Sequence, residues 1–141
     1  MKGPIVVGTD GSDTANIAVA AAIELAKTFK QPLHVVSAFR PISVPGNLPA
    51  EFDGCITSSS KVDSVVSEAM MRAKAAGVTV TAHAETGSAA DALLSVAEEV
   101  QADLIVVGNR GIRSKTRYVL GNVPSKVVHH AMCSTYVVQT S

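Results

Sequence analysis

The sequence of 141 residues has no tryptophan, only two cysteines and no acidic residue beyond Asp103. Cys55 and Cys133 stand far apart, without C-x-x-C or mixed Cys/His spacing, so the usual signatures of dithiol chemistry and of a zinc site are missing and two ordinary thiols remain. Long apolar runs are also missing. The opening MKGPIVVGTDGS reaches Gly8 and Asp10 too soon for a signal-peptide core, and no segment approaches the roughly 18 apolar residues of a membrane span. A soluble cytoplasmic protein is expected. Twelve acidic and twelve basic side chains cancel, which argues against a chain built to coat nucleic acid or an anionic membrane.

Several catalytic and cofactor motifs are absent as well. There is no G-x-x-x-x-G-K-[ST] loop, no G-x-G-x-x-G dinucleotide fingerprint and no G-x-S-x-G elbow. No carboxylate pair is placed to activate water, so neither a catalytic group nor a metal site is expected, and binding is easier to justify than turnover.

What the chain does have is enough apolar material for a core. With 47% hydrophobic residues it suits one domain over residues 1–141, burying about two-thirds of its unfolded surface. Residues 5–8 and 103–108 are short, β-branched and apolar, as central parallel strands covered on both faces are. Residues 32–39 read as a further buried strand. Residues 78–84 alternate, with His83 on the more polar side as a surface group, and residues 134–140 are strand-like through Tyr136, Val137 and Val138.

Helical spacing appears over residues 14–30, where Ala18, Ala21, Ala22, Leu25 and Phe29 share a face and Ser12 or Asp13 can cap. It recurs over residues 62–73, with Gly77 as C-cap, then over residues 89–100 and 122–131. Residues 40–60, with three prolines and two glycines and no period, read as a long loop. Strand and helix alternate throughout, the pattern of an open three-layer α/β/α domain with right-handed crossovers. In such sheets ligands bind beyond the carboxyl ends of the strands where strand order reverses. That crevice would be lined by Thr9, Asp10 and Gly11 and by Asn109, Arg110 and Gly111.

One local charge asymmetry points to an anion. Residues 1–103 hold all twelve acids and seven bases, whereas residues 104–141 hold Arg110, Arg113, Lys115, Arg117 and Lys126 and no acid. In the same stretch Gly108 and Gly111 leave a buried strand, and Gly121 precedes the last helix. Bare amides in a turn and at a helix start make a phosphate cradle, although a strand exit, a turn and a helix start would need the same glycines. Asp10 can accept from a ribose hydroxyl, hold magnesium or cap the turn that opens the first helix. Asp13 reads as a helix cap and His34 as a structural residue. His129 and His130 suit the end of the last helix.

The segments Val6-Val-Gly-Thr-Asp-Gly-Ser12 and Ala102-Asp-Leu-Ile-Val-Val-Gly108, with Gly108-x-x-Gly111 and nine residues on to Gly121, resemble the universal stress protein family over essentially the whole chain. The resemblance implies an adenine nucleotide alpha hydrolase-like fold, with a five-stranded parallel sheet in the order 3-2-1-4-5. It also implies a homodimer in which the last strands of two subunits pair. In nucleotide-binding members the adenosine lies against the ends of the first two strands, which points to Thr9, Asp10 and Ala38. The phosphates would be held by Gly108, Arg110, Gly111, Gly121, Asn122, Val123 and Ser125, mostly through backbone N–H groups. Asn122 departs from the family's usual Ser or Thr at that position, which puts ATP itself in doubt while leaving the fold untouched.

The expected function is therefore adenine-nucleotide binding, ATP or another adenine nucleotide with or without Mg2+, by a stress-response sensor or regulator acting on unidentified protein partners. The alternatives are a cyclic-AMP-binding member of the same family, a slow magnesium-dependent ATP hydrolase, and an interaction protein that binds no nucleotide.

Overall fold

The computed structural model describes residues 1–39, 59–109 and 120–140. Its elements are β1 (Ile5–Gly8), α1 (Asp13–Phe29), β2 (Leu33–Phe39), α2 (Ser59–Ala75), β3 (Val80–Thr86), α3 (Ala89–Val100), β4 (Leu104–Gly108), α4 (Asn122–His130) and β5 (Ser134–Val138). The strands form one sheet in the order β3-β2-β1-β4-β5, and every neighbouring pair is parallel. This is the open α/β/α arrangement expected from the sequence.

The apolar runs follow from burial on both sheet faces. Ile5 and Val7 pack on one side with Ala18, Ala22 and Ala73 of α1 and α2, while Val6 and Ile105 pack on the other with Leu93 and Val96 of α3 and Val127 of α4. Full burial of one such aliphatic side chain is worth roughly 1.5–3 kcal/mol. A strand with both faces covered has no polar position to spare, which is why β1 and β4 read as unbroken hydrophobic runs.

Helix ends obey local rules. At the end of α2, Gly77 has φ +82°, its N–H donates to Lys74 O at 3.0 Å, and the N–H of Val78 donates to Ala73 O at 3.0 Å. This is a Schellman ending, and it uses the glycine singled out in the sequence. The expected start of α2 and the expected buried face of α1 need adjustment. Helix α2 starts at Ser59, inside the stretch read as a loop; residues 40–58 of that loop lie outside the described residues. The buried face of α1 is Ala18, Val19, Ala22, Ile23 and Ala26, turned from the expected one. Alanines at spacing four let the helix lie close to the sheet, and Phe29 in the last turn is left 42% exposed.

The reading of His83 as a surface group is corrected by its partner. His34 and His83 lie diagonally on one sheet face, since Thr81 is in register with His34 and His83 with Val36. His34 Nδ1 and His83 Nε2 are 2.9 Å apart, and both rings are half-buried. A neutral pair makes this bond with one N–H and one lone pair, whereas a doubly protonated pair has only donors facing each other. Burial, then the charge of His83, push the pKa of His34 down, and Glu99 opposes them.

Because the folded pKa is depressed, the unfolded chain takes up a proton first as pH falls below about 6.5. Stability is therefore full above that pH and declines as pH drops toward the lowered folded value. Urea midpoints between pH 7.5 and 5 should fall in the native chain, with a shallower fall for His83→Gln. Parallel slopes in the two proteins would remove the pair as the cause.

Candidate functional site

Chain connections leave β1 toward β2 on one side and enter β4 on the other, so sheet order reverses between the carboxyl ends of β1 and β4. Three stretches lie at that end: residues 9–12 after β1, Asn109 after β4, and the start of α4.

The exit of β1 is held from below. Thr9 is buried, its N–H donates to Val36 O at 2.9 Å, and its carbonyl accepts from the buried Ser37 hydroxyl at 2.7 Å. The Thr9 hydroxyl in turn accepts from the N–H of Gly11 at 3.1 Å. Asp10 closes the turn, with Oδ1 accepting from Ser12 N–H at 2.9 Å. That is the turn-capping role weighed for Asp10, and it engages one of its two carboxylate oxygens.

Ser12 is the N-cap of α1, its hydroxyl accepting from Ala15 N–H at 3.2 Å. Asp13 is therefore the first helical residue, not the cap, because the Ser12 hydroxyl is the group that meets the third helical amide. Gly11 has φ +83°, and a Cβ placed on it would meet Val65 Cγ2 of α2 at 2.7 Å. The turn is thus wedged against α2 with no room for a side chain.

After β4, Asn109 joins two neighbours. Its N–H donates to Val138 O at 2.8 Å, and its carbonyl accepts from Gly121 N–H at 2.9 Å. The strand exit and the start of the last helix therefore meet. Gly121 is the N-cap of α4, with φ −62° and ψ 166° and no side-chain cap.

This geometry revises the donor set. The amide of Gly121 is taken by Asn109, the amide of Ser125 donates to Gly121 O at 3.0 Å, and Pro124 has no N–H. Asn122 and Val123 are the amides of the first turn with no partner among the described residues, as expected where a helix has no preceding turn. Asn122 is exposed and Val123 half-buried. Ser125 can still offer its hydroxyl.

The remaining expected residues divide. Gly108 is the last residue of β4, at the crevice. Ala38 lies near the end of β2 but is 3% exposed, and its methyl packs into the core toward α3. Arg110 and Gly111, with Arg113, Lys115 and Arg117, lie outside the described residues. Lys126 is engaged elsewhere, 2.9 Å from Asp91 Oδ1 on α3. Hydrogen bonds from Lys126 and at Ser88 hold the Asp91 carboxyl below its usual range. Sequence reading missed Ser37 and the partners of Asn109. Both depend on contacts between distant segments, and nothing local in V-V-G-N-R-G signals them.

Residues 1–139 match the model of the universal stress protein family. The chain belongs to that family. Universal stress protein Rv1636 of Mycobacterium tuberculosis is 32% identical, with the match covering 97% of this chain and 96% of the relative. A crystal structure of a universal stress protein in complex with cAMP is 33% identical, covers 99% of this chain and 98% of its own, and superposes with a TM-score of 0.77. The universal stress protein from Archaeoglobus fulgidus in complex with dAMP is 25% identical, with 96% and 97% covered and a TM-score of 0.69. Among the described residues of this universal stress protein, no helix is long and apolar enough to cross a membrane, and no three His, Cys, Asp or Glu side chains gather as a metal site.

Proposed function

We propose that this universal stress protein binds an adenine nucleotide at the crevice between β1 and β4 and acts as a sensor or regulator. The observation that carries the reading is the meeting of Asn109 with Gly121, which leaves the amides of Asn122 and Val123 at the point where sheet order reverses. Two relatives in complex with cAMP and dAMP support it. Thr9 and Asp10 flank the adenosine, with Ala38 contributing backbone only. Gly108, Asn122, Val123 and the Ser125 hydroxyl face the phosphate, joined by Arg110 and Gly111. The helix dipole of α4 adds to their pull on an anion.

A cyclic monophosphate is the favoured ligand. Among the described residues, the two amides at the start of α4 match one singly charged phosphodiester, and Lys126 is already paired with Asp91. A triphosphate would call on the bases of residues 110–117. Magnesium-dependent turnover is less well supported, since Asp10 spends one oxygen on the turn.

Dimerisation through β5 belongs to the same reading. That strand pairs with β4 on one side, and Tyr136 and Val137 are 46% and 37% exposed, an edge suited to a second copy. Cytoplasmic action is part of the proposal.

The test is mass analysis of small molecules released from gently purified protein, then calorimetric titration with cAMP, AMP and ATP. Binding of cAMP at least tenfold tighter than of ATP is expected. No bound molecule, together with no measurable affinity for any of the three at millimolar concentration, would overturn the proposal in favour of a purely protein-binding role.

A further inference from the structure

Asn109 makes more bonds than a strand exit requires. Besides its backbone bonds to Val138 and Gly121, its side-chain Oδ1 accepts twice from Thr140, from the backbone N–H at 3.0 Å and from the hydroxyl at 3.0 Å. The backbone donor fixes the orientation of the carboxamide, because an N–H needs an oxygen opposite it. Both lone pairs of Oδ1 are used. Thr140 is 6% exposed and Val138 9%, so water competes poorly for these bonds.

We infer that Asn109 is a positioning residue through which Thr140, beyond the end of β5, sets the direction of the phosphate-facing amides at the start of α4. The inference rests on the nucleotide reading of the crevice. Its physical content is a short chain of bonds. Thr140 holds the Asn109 side chain, Val138 holds its N–H, and the carbonyl so oriented holds Gly121, the residue directly before Asn122 and Val123.

Hydrogen bonds weaken steeply with angle, so a rotated Asn109 peptide would release Gly121 and turn the next two N–H groups away from their common target. The segment following the edge strand is thereby mechanically linked to the ligand site. An event that displaces Thr140 would loosen ligand binding, and bound ligand would hold Thr140 in place, as linkage requires.

Thr140→Val tests this with little change in shape, since it removes only the hydroxyl donor, while Thr140→Ser retains it. Two quantities are measured on each protein and on Asn109→Ala: affinity for cAMP well below the melting temperature, and the hydrogen-exchange rate of the Gly121 amide without ligand. Loss of one ordinary hydrogen bond corresponds to about a two- to tenfold effect. Thr140→Val should weaken cAMP binding and speed Gly121 exchange by that factor. Asn109→Ala should exceed tenfold in both, and Thr140→Ser should match the native protein.

Native affinity and native Gly121 protection in both Thr140→Val and Asn109→Ala would overturn the inference. So would a loss of affinity that Thr140→Ser shares, because the hydroxyl bond would then not be its source. If the native protein binds no nucleotide, the reading of the crevice fails by itself. The link from Thr140 to Gly121 is then decided by exchange alone, upheld by faster Gly121 exchange in the variants and overturned by unchanged exchange.

Discussion

On the proposed nucleotide reading, Asn122→Pro is expected to lower affinity for cAMP by about ten- to a hundredfold while leaving the fold intact, the value for one lost hydrogen bond to a charged group at about 1.5–3 kcal/mol. Few positions allow so clean a removal of a backbone donor. Asn122 is the first residue of α4, where proline is favoured because the missing N–H has no helical partner. The preceding Gly121 is extended, with ψ 166°, which is the conformation that a following proline requires. Asn122→Ala removes the carboxamide but keeps the amide, so the difference between the two variants isolates the backbone N–H. Calorimetric titration of both with cAMP, beside circular dichroism to check helix content, makes the measurement. Equal affinity of the two would mean that phosphate is not held at this helix start.

The second large effect is on stability. Gly11→Ala is expected to cost roughly 2–5 kcal/mol, combining about 1–2 kcal/mol for a left-handed residue with a Cβ and about 1–3 kcal/mol for overpacking. The overpacking arises because the new Cβ would meet Val65 Cγ2 at 2.7 Å, and a valine in a helix has essentially one side-chain rotamer and cannot swing aside. Gly77 supplies the control. It has φ +82° and nothing within 4 Å of an added Cβ, so Gly77→Ala bears the conformational cost alone.

In a chain of this size the Gly11→Ala loss corresponds to a melting temperature lower by roughly 7–17 °C. Val65→Ala combined with Gly11→Ala should recover about 1–3 kcal/mol relative to additivity. Additive behaviour would mean that the turn and α2 are not in contact. The turn also carries Asp10, so Gly11→Ala should weaken nucleotide binding at temperatures where the protein is still folded.

The two variants probe different parts of one arrangement. The first removes a donor without moving anything, and the second moves the wall opposite without removing a donor. If the crevice binds a nucleotide, both should reduce affinity, but only the first should do so without loss of stability.

How much of this was legible beforehand differs from residue to residue. Gly77 was readable as a helix end because a left-handed ending is a local event, decided by the preceding turn. Ser12 was readable as a possible cap for the same reason, though the choice between Ser12 and Asp13 needed the actual bond to Ala15. The meeting of the glycine-flanked strand exit with the last helix was anticipated from spacing and family resemblance. Which amides would stay open was not. Gly121 and Ser125 looked equivalent to Asn122 and Val123 until Asn109 and the helix itself were seen to consume their N–H groups. Lys126 is one of the five bases of the acid-free stretch, and its ion pair with Asp91, from an element over thirty residues away, has no mark in the local sequence.

The sequence alone determined the alternation of strands and helices and the buried character of β1 and β4, because periodicity and β-branched content act over a few neighbouring residues. It also placed the glycines at strand ends and helix starts. Only the tertiary structure decided that His83 would pair with His34, that Ser37 would support Thr9, and that Thr140 would grip Asn109. Each of those bonds joins groups that chain direction and sheet register bring together, and a polar side chain carries no mark of its partner until the backbone has fixed where it points.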